Sequence, residues 1–174
     1  MLILNLTRKT RAREKKSSDL SLKLTTFVFE NNTIQMGLVH AELTLTNAGD
    51  ISLYEGGFIK ETEIRNVTCL ALVDSGAIML AINENLKIQL GLKVRDVRPA
   101  QLADGTVKNL EIVGPIEVRF KNRMSITSAM VLPGNQEVLL GAIPMEEMDV
   151  LIHPAKQELI VNPEHPFKAQ MVLK

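Results

Sequence analysis

The chain has 174 residues, enough for one ordinary domain with roughly thirty residues to spare. Apolar residues make up 45% of it and aromatic residues only 3%, with no Trp, so Val, Ile, Leu and Met must form the core. The net charge is zero, but residues 1–35 carry seven Lys/Arg against three Asp/Glu, and the remainder carries thirteen against seventeen. The scarcity of aromatic rings and the mildly acidic main part both argue against a nucleic-acid partner.

The single cysteine, Cys69, excludes an intramolecular disulfide and fits a reducing compartment. No apolar run approaches the roughly 20 residues that span a bilayer. The first six residues are too short for the apolar region of a signal peptide, and their basic residues follow rather than precede them. The sequence therefore predicts a cytoplasmic protein without a membrane partner.

Residues 8–16 contain six basic residues and no apolar side chain larger than Ala. Such a segment cannot bury enough surface to offset its ordering entropy, so residues 1–35 are interpreted as a basic, flexible N-terminal extension. Residues 36–165 are expected to form the domain, and residues 166–174 a C-terminal tail.

The first half of the domain has the pattern of short strands separated by turns. Strands are predicted at 38–45 and 64–73, with a turn at 47–50, and the second strand is apolar enough to be fully buried. A short helix is expected from its N-cap Asn83 to a stop at Gly91. Two further strands flank an Asp-Gly turn, which indicates a hairpin with its tip at Ala103, Asp104, Gly105 and Thr106.

The second half continues in the same way. Gly114-Pro115 is expected to break the chain before an alternating strand at 116–120, and another strand follows at 124–132. A helix is predicted to open at Pro144, before a last hairpin around residues 153–156. Many short strands with one or two short helices predict an all-β, closed barrel.

The stretch most informative about chemistry is residues 71–77, Ala-Leu-Val-Asp-Ser-Gly-Ala. A carboxylate at the end of an apolar strand, followed by a small hydroxyl residue and Gly, can occupy a tight turn at the base of a cleft, because Gly lets the backbone approach the carboxylate. Asp-Ser-Gly is also a common surface turn, so the tripeptide alone decides nothing. An apolar strand ends at a Gly a second time, at Leu139-Leu140-Gly141.

The order and spacing of these features give a resemblance to a known family. From about Met36 to Val161 the chain resembles the retropepsin-like aspartic proteases, in particular their single-domain bacterial members. The features that carry this resemblance are the Asp74-Ser-Gly-Ala77 motif, the Leu102-Ala-Asp-Gly105 turn, Val131-Leu-Pro-Gly134, Leu139-Leu-Gly141 with its short helix, and the hairpin at His153-Pro154. Ser stands at position 75, where Thr is commoner in the family, and the hairpin tip lacks the Gly-rich sequence of the viral enzymes.

The resemblance implies an aspartic endopeptidase with a closed acid-protease barrel and with Asp74 as its catalytic residue. It implies that Ser75, Gly76 and Ala77 support the active-site loop, that Leu139–Gly141 pack against it, and that residues 103–106 form a flap over the substrate. Since the chain has one such motif, the second carboxylate is expected from a second copy in a homodimer. No metal or cofactor is expected.

Two alternatives remain open at this point. The fold could serve as a catalytically inactive dimerisation or peptide-binding module, because fold alone does not secure function. The basic extension could also tether the domain to nucleic acid or to an acidic partner. The three histidines lack metal-ligand spacing, and Cys69 in its apolar strand is interpreted as a core residue.

Overall fold

A computed structural model describes residues 37–101 and 105–170 of the chain. The strands are β1 His40–Asn47, β2 Asn66–Val73, β3 Leu80–Asn83, β4 Val94–Gln101, β5 Val107–Phe120, β6 Arg123–Leu132, β7 Val138–Leu140, β8 Val150–His153 and β9 Glu158–Val161. The helices are α1 Ala48–Glu55, α2 Glu84–Gln89 and α3 Ala142–Glu147, with a 3-10 turn at Glu61–Glu63. No helix in these two ranges combines the length and the apolar character needed to cross a membrane.

Six of the strands form a closed barrel. The main sheet has the order β1-β2-β7-β3-β6-β5-β4, and β1 also pairs with β5 through Thr44–Asn47 and Ile116–Arg119, which closes the sheet on itself. The β4 strand continues the sheet beyond the barrel as a hairpin with β5, and β8 and β9 form a separate hairpin. The predicted all-β, closed barrel is thereby confirmed.

The core follows from the alternation of side chains along the strands. Val138 and Leu140 of β7 and Leu80 and Ile82 of β3 all point into the main apolar cluster within the barrel. The residues between them point the other way, into a smaller second cluster. Both faces of β3 and β7 are therefore apolar.

Two strand predictions were wrong in detail. The β2 strand is buried only at its end, at Ala71 and Val73, and Leu70 is 62% exposed, because only one face of this strand meets the core. The chain does not break at Gly114-Pro115: β5 runs through this pair by means of a bulge. Gly114 has φ of 145° there, and a side chain on it would stand 3.2 Å from the Cα of Ser128.

Two of the three described helices differ from the prediction, and the helix capped by Asn83 agrees with it. Helix α1 begins within residues 47–50, which were predicted as a turn. It forms there because the side chain of Asn47 caps it by accepting from the backbone nitrogens of Gly49 and Asp50. Helix α2 starts after its predicted cap Asn83. Helix α3 begins at Ala142 rather than at Pro144, which is its third residue.

Candidate active site

Asp74 lies directly after β2, where the sheet brings two chain segments side by side. The β2 and β7 strands are parallel neighbours, with Leu72 opposite Leu139 and Val73 opposite Leu140. The backbone nitrogen of Asp74 donates to the carbonyl oxygen of Leu140 over 3.0 Å. The structure therefore brings together the two strand-to-turn segments that are far apart in the sequence.

The loop after Asp74 is held by backbone hydrogen bonds. The carboxylate oxygen Oδ1 of Asp74 accepts from the backbone nitrogen of Gly76 over 2.9 Å. The carbonyl oxygen of Asp74 accepts from the nitrogen of Ala77 over 3.1 Å, which closes the turn. The hydroxyl of Ser75 is exposed and has no hydrogen-bond partner among the described residues, so within one chain the backbone amides fix the turn.

The second turn packs against this loop. The nitrogen of Ala142 donates to the carbonyl oxygen of Ala77 over 2.8 Å, and that of Ile143 donates to Ile78 over 3.0 Å. A Cβ on Gly141 would stand 2.7 Å from the carbonyl oxygen of Ala77, closer than real Cβ atoms come. Only Gly at position 141 allows the loop to lie this close.

Asp74 differs from the other aspartates in its surroundings. In the parts of the chain that the structure describes, Asp50 pairs with Arg65, Asp96 with Arg98 and Asp149 with His165. Asp74, half-buried at the barrel surface, has no basic partner within the same parts. Among the residues that the structure describes, an amide orients this carboxylate and no cation neutralises it.

The loop is flanked by apolar side chains that the sequence analysis did not single out. Ile78 is 72% exposed, and Ile143, bonded to it through the backbone, is also exposed. Exposed apolar residues are common singly, and no sequence pattern marks these two. Only the meeting of the two turns shows that they lie together beside Asp74.

Of the predicted flap, Ala103 and Asp104 lie outside the described residues. Gly105 has φ of 82°, as a Gly in a hairpin turn allows, and Thr106 immediately precedes β5. The two strands that lead to this tip are paired without a break, from Arg98 opposite Leu110 to Gln101 opposite Val107. The predicted hairpin therefore exists.

The cysteine and two of the histidines considered in the sequence analysis make contacts that suit a structural role. Cys69 is partly buried against the main core, and this burial raises the pKa of its thiol. His40 bonds Glu137, and His165 bonds Asp149. Within residues 37–101 and 105–170, no group of three or more His, Cys, Asp or Glu side chains could hold a metal ion.

The closed barrel, together with a carboxylate loop packed against a Gly-containing turn, is consistent with a domain of the acid-protease type. Residues 61–143 match the family model Asp_protease_2, described as aspartyl protease, and this match confirms the resemblance to the retropepsin-like aspartic proteases. The matched stretch is just under half of the chain and includes both turns and the β4–β5 hairpin. No curated protein matches the chain.

Proposed function

We propose that the chain is an aspartic endopeptidase whose active site forms between two copies, each of which contributes Asp74. The observation that carries this proposal is the state of Asp74: its carboxylate is fixed by the Gly76 amide, half-exposed, and without a cationic partner in the described residues. A carboxylate used for structure is expected to be paired, as Asp50 is with Arg65. An unpaired carboxylate on a fixed loop is suited to exchanging protons.

The chemistry needs two carboxylates, and the chain supplies one such loop. Two Asp74 side chains in contact across a two-fold axis would not both ionise readily, so the pair would share one proton. The ionised carboxylate takes a proton from a bound water, which attacks the peptide carbonyl carbon. The protonated carboxyl donates to the carbonyl oxygen, and the resulting tetrahedral species breaks down with protonation of the amine that leaves.

The exposed apolar residues beside the loop support a second copy there. Ile78 and Ile143 would be covered if another chain met the Asp74 loop face to face. In an isologous contact the same residues lie on both sides of the axis, so one apolar patch is enough to form the interface.

The first experiment is cleavage of a mixed peptide library between pH 4 and pH 7, with wild type beside Asp74→Asn, read by mass spectrometry. Cleavage by wild type alone supports the endopeptidase. If neither protein cuts any peptide while both remain dimeric, the alternative of an inactive dimerisation or peptide-binding module replaces it.

A mixing experiment tests whether the active site is shared. Wild type and Asp74→Asn are combined in equal amounts and allowed to exchange subunits. Because a mixed dimer would have one catalytic carboxylate, activity per wild-type chain should fall to about half. Activity that stays constant on mixing would show that each chain has its own complete site.

A further inference from the structure

The β4–β5 hairpin has two faces with different partners. Residues directly opposite in an antiparallel pair point to the same face, as do residues two apart along a strand. Arg98 pairs with Leu110 and Ala100 with Lys108, so these four residues share one face of the hairpin. Leu110 is buried and Ala100 partly buried, so this face turns towards the rest of the domain.

The inner face of the hairpin covers a second apolar cluster outside the main core. Leu110 and Ala100 pack there with Ala81 of β3 and Leu139 of β7. Ala81 and Leu139 are register partners, so they lie side by side on the same surface of the sheet. This surface is the floor beneath the hairpin.

The same floor leads to Asp74. Leu139 lies opposite Leu72 in the adjoining strand, so Leu72 points to the same side. Asp74 follows Leu72 by two residues, whereas Val73 between them points into the main core. Asp74 and the inner face of the hairpin therefore lie on the same outer side of the barrel.

Lys108 places a positive charge on this side of the barrel. It lies two residues closer to the hairpin tip than Leu110, about 7 Å along the strand, and on the same face. Its side chain is exposed and has no carboxylate partner within residues 37–101 and 105–170. Arg98, on the same face, already has a partner: its Nε donates to Asp96 over 2.7 Å.

We propose that Lys108 determines specificity by receiving an Asp or Glu side chain of a peptide that lies extended along this side of the barrel, past Asp74 and the hairpin. The proposal rests on the proposed function and adds a substrate class, peptides that carry an acidic residue close to the cleaved bond. A peptide that lies against the hairpin would shield the ion pair from water more than an open surface does, which strengthens the attraction.

The test uses one peptide that the wild type cleaves, remade with Glu, Gln or Lys at each position on both sides of the cleaved bond. At one position we expect kcat/KM to be about two- to fivefold higher with Glu than with Gln, the range of a partly exposed ion pair. Lys108→Gln should remove this preference, and Lys108→Glu should reverse it in favour of Lys. The matched control is Lys156→Gln in the β8–β9 turn, which removes a charge elsewhere and should leave the preference unchanged.

Binding to Asp74→Asn of a fluorescent peptide set with Glu, Gln or Lys at each position in turn, measured by anisotropy, does not depend on cleavage and separates the two proposals. If acidic peptides bind more tightly, Lys108→Glu reverses this preference and wild type cleaves none of them, the Lys108 subsite is supported and the protease is overturned. Cleavage without a charge preference, or with one that Lys108→Glu leaves unchanged, overturns the subsite and leaves the protease intact. If the peptides are neither bound nor cleaved, both proposals fail.

Discussion

The backbone nitrogen of Asp74 donates to the carbonyl oxygen of Leu140, so the last residue of β7 holds the first residue of the candidate catalytic loop. Residues 66 positions apart in the chain are joined by this bond. The position of the Asp74 carboxylate thus depends on how closely the segment after Leu140 can approach the loop after Asp74.

We predict that Gly141→Ala disrupts the loop. The new methyl group would stand 2.7 Å from the carbonyl oxygen of Ala77, and neither backbone segment can move without loss of its hydrogen bonds. The free energy of unfolding should fall by about 1–3 kcal/mol, as for an overpacked core, and peptide cleavage should be lost. Urea denaturation and the library assay measure the two effects.

The control for this variant is Gly57→Ala, after helix α1. Gly57 has φ of 75° and open space around its Cα, so only the left-handed backbone is penalised, by about 1 kcal/mol. Cleavage should survive in this variant. Equal cleavage activity of Gly57→Ala and Gly141→Ala would contradict the conclusion that activity requires close packing of Gly141 against the Asp74 loop.

We predict that Asp50→Asn destabilises the domain by about 2 kcal/mol, since Asp50 is only 4% exposed and accepts three hydrogen bonds from Arg65. The Arg65 side chain lowers the pKa of this carboxyl. A lowered folded-state pKa stabilises the protein above the unfolded value of about 3.9, and this stability is lost as pH falls through the folded value. Urea midpoints at pH 7 and pH 3 should show a difference from wild type that shrinks at the lower pH.

The exposed Asp96–Arg98 pair is the matched control for this pH effect, because water screens both partners. Asp96→Asn should lower the urea midpoint at pH 7 less than Asp50→Asn does. A larger loss in Asp96→Asn than in Asp50→Asn would contradict the assignment of stability to burial.

We predict that Asp149→Asn loosens the segment after β9. Asp149 accepts from the side chains of Asn162 and His165 and from the backbone nitrogen of Gln170, and Asn tolerates its φ of 50° while offering one acceptor fewer. Trypsin should cut after the exposed Lys168 faster than in wild type. Glu158→Gln, a charge loss in the neighbouring strand, should leave that rate unchanged.

The same cluster has a pH dependence of its own. Hydrogen bonds from Asn162, from the Gln170 backbone and from His165 lower the pKa of Asp149. The stability from these contacts is therefore fully present above the unfolded aspartate value of about 3.9 and is lost as pH falls through the lower folded value. The amide resonance of Gln170 should shift in that range, and a resonance that is constant from pH 6 to pH 2.5 would contradict this account.

We predict that Cys69→Ala retains cleavage activity. Burial raises the pKa of this thiol, so little of the reactive thiolate exists at neutral pH, and the side chain packs against the core. Wild type should react slowly with iodoacetamide and lose no activity before it unfolds. Rapid inactivation by the reagent, absent in Cys69→Ala, would point to a thiol mechanism.

Local patterns were sufficient to predict the closed barrel and both turns of the candidate site. Alternation and turn residues mark most strands, and the β4–β5 hairpin follows from its Asp-Gly tip. Helix α1 was missed because its start is indistinguishable from a turn until Asn47 is seen to cap it. The continuity of β5 through Gly114 was missed because a bulge depends on the strand alongside.

The surroundings of Asp74 could be predicted only in part. The sequence predicts a carboxylate in a tight turn, but pairing between β2 and β7 decides what lies beside it. That Ile78 meets Ile143, and that Asp74 has no cationic partner among the described residues, depend on contacts between distant segments. Contacts between distant segments leave no periodic pattern in the sequence of one strand, so they could not be predicted from it.

Closure of the barrel by β1 and β5 also limits the strand edges that could pair with strands of other molecules. In the part of the chain described, β4 is the terminal strand of the main sheet and is paired along one edge only. Pro99 removes a hydrogen-bond donor from this strand, and a register shift between Val94 and Asp96 bends it. A strand from another molecule would find few consecutive partners there, so the edge of β4 is a poor template for aggregation.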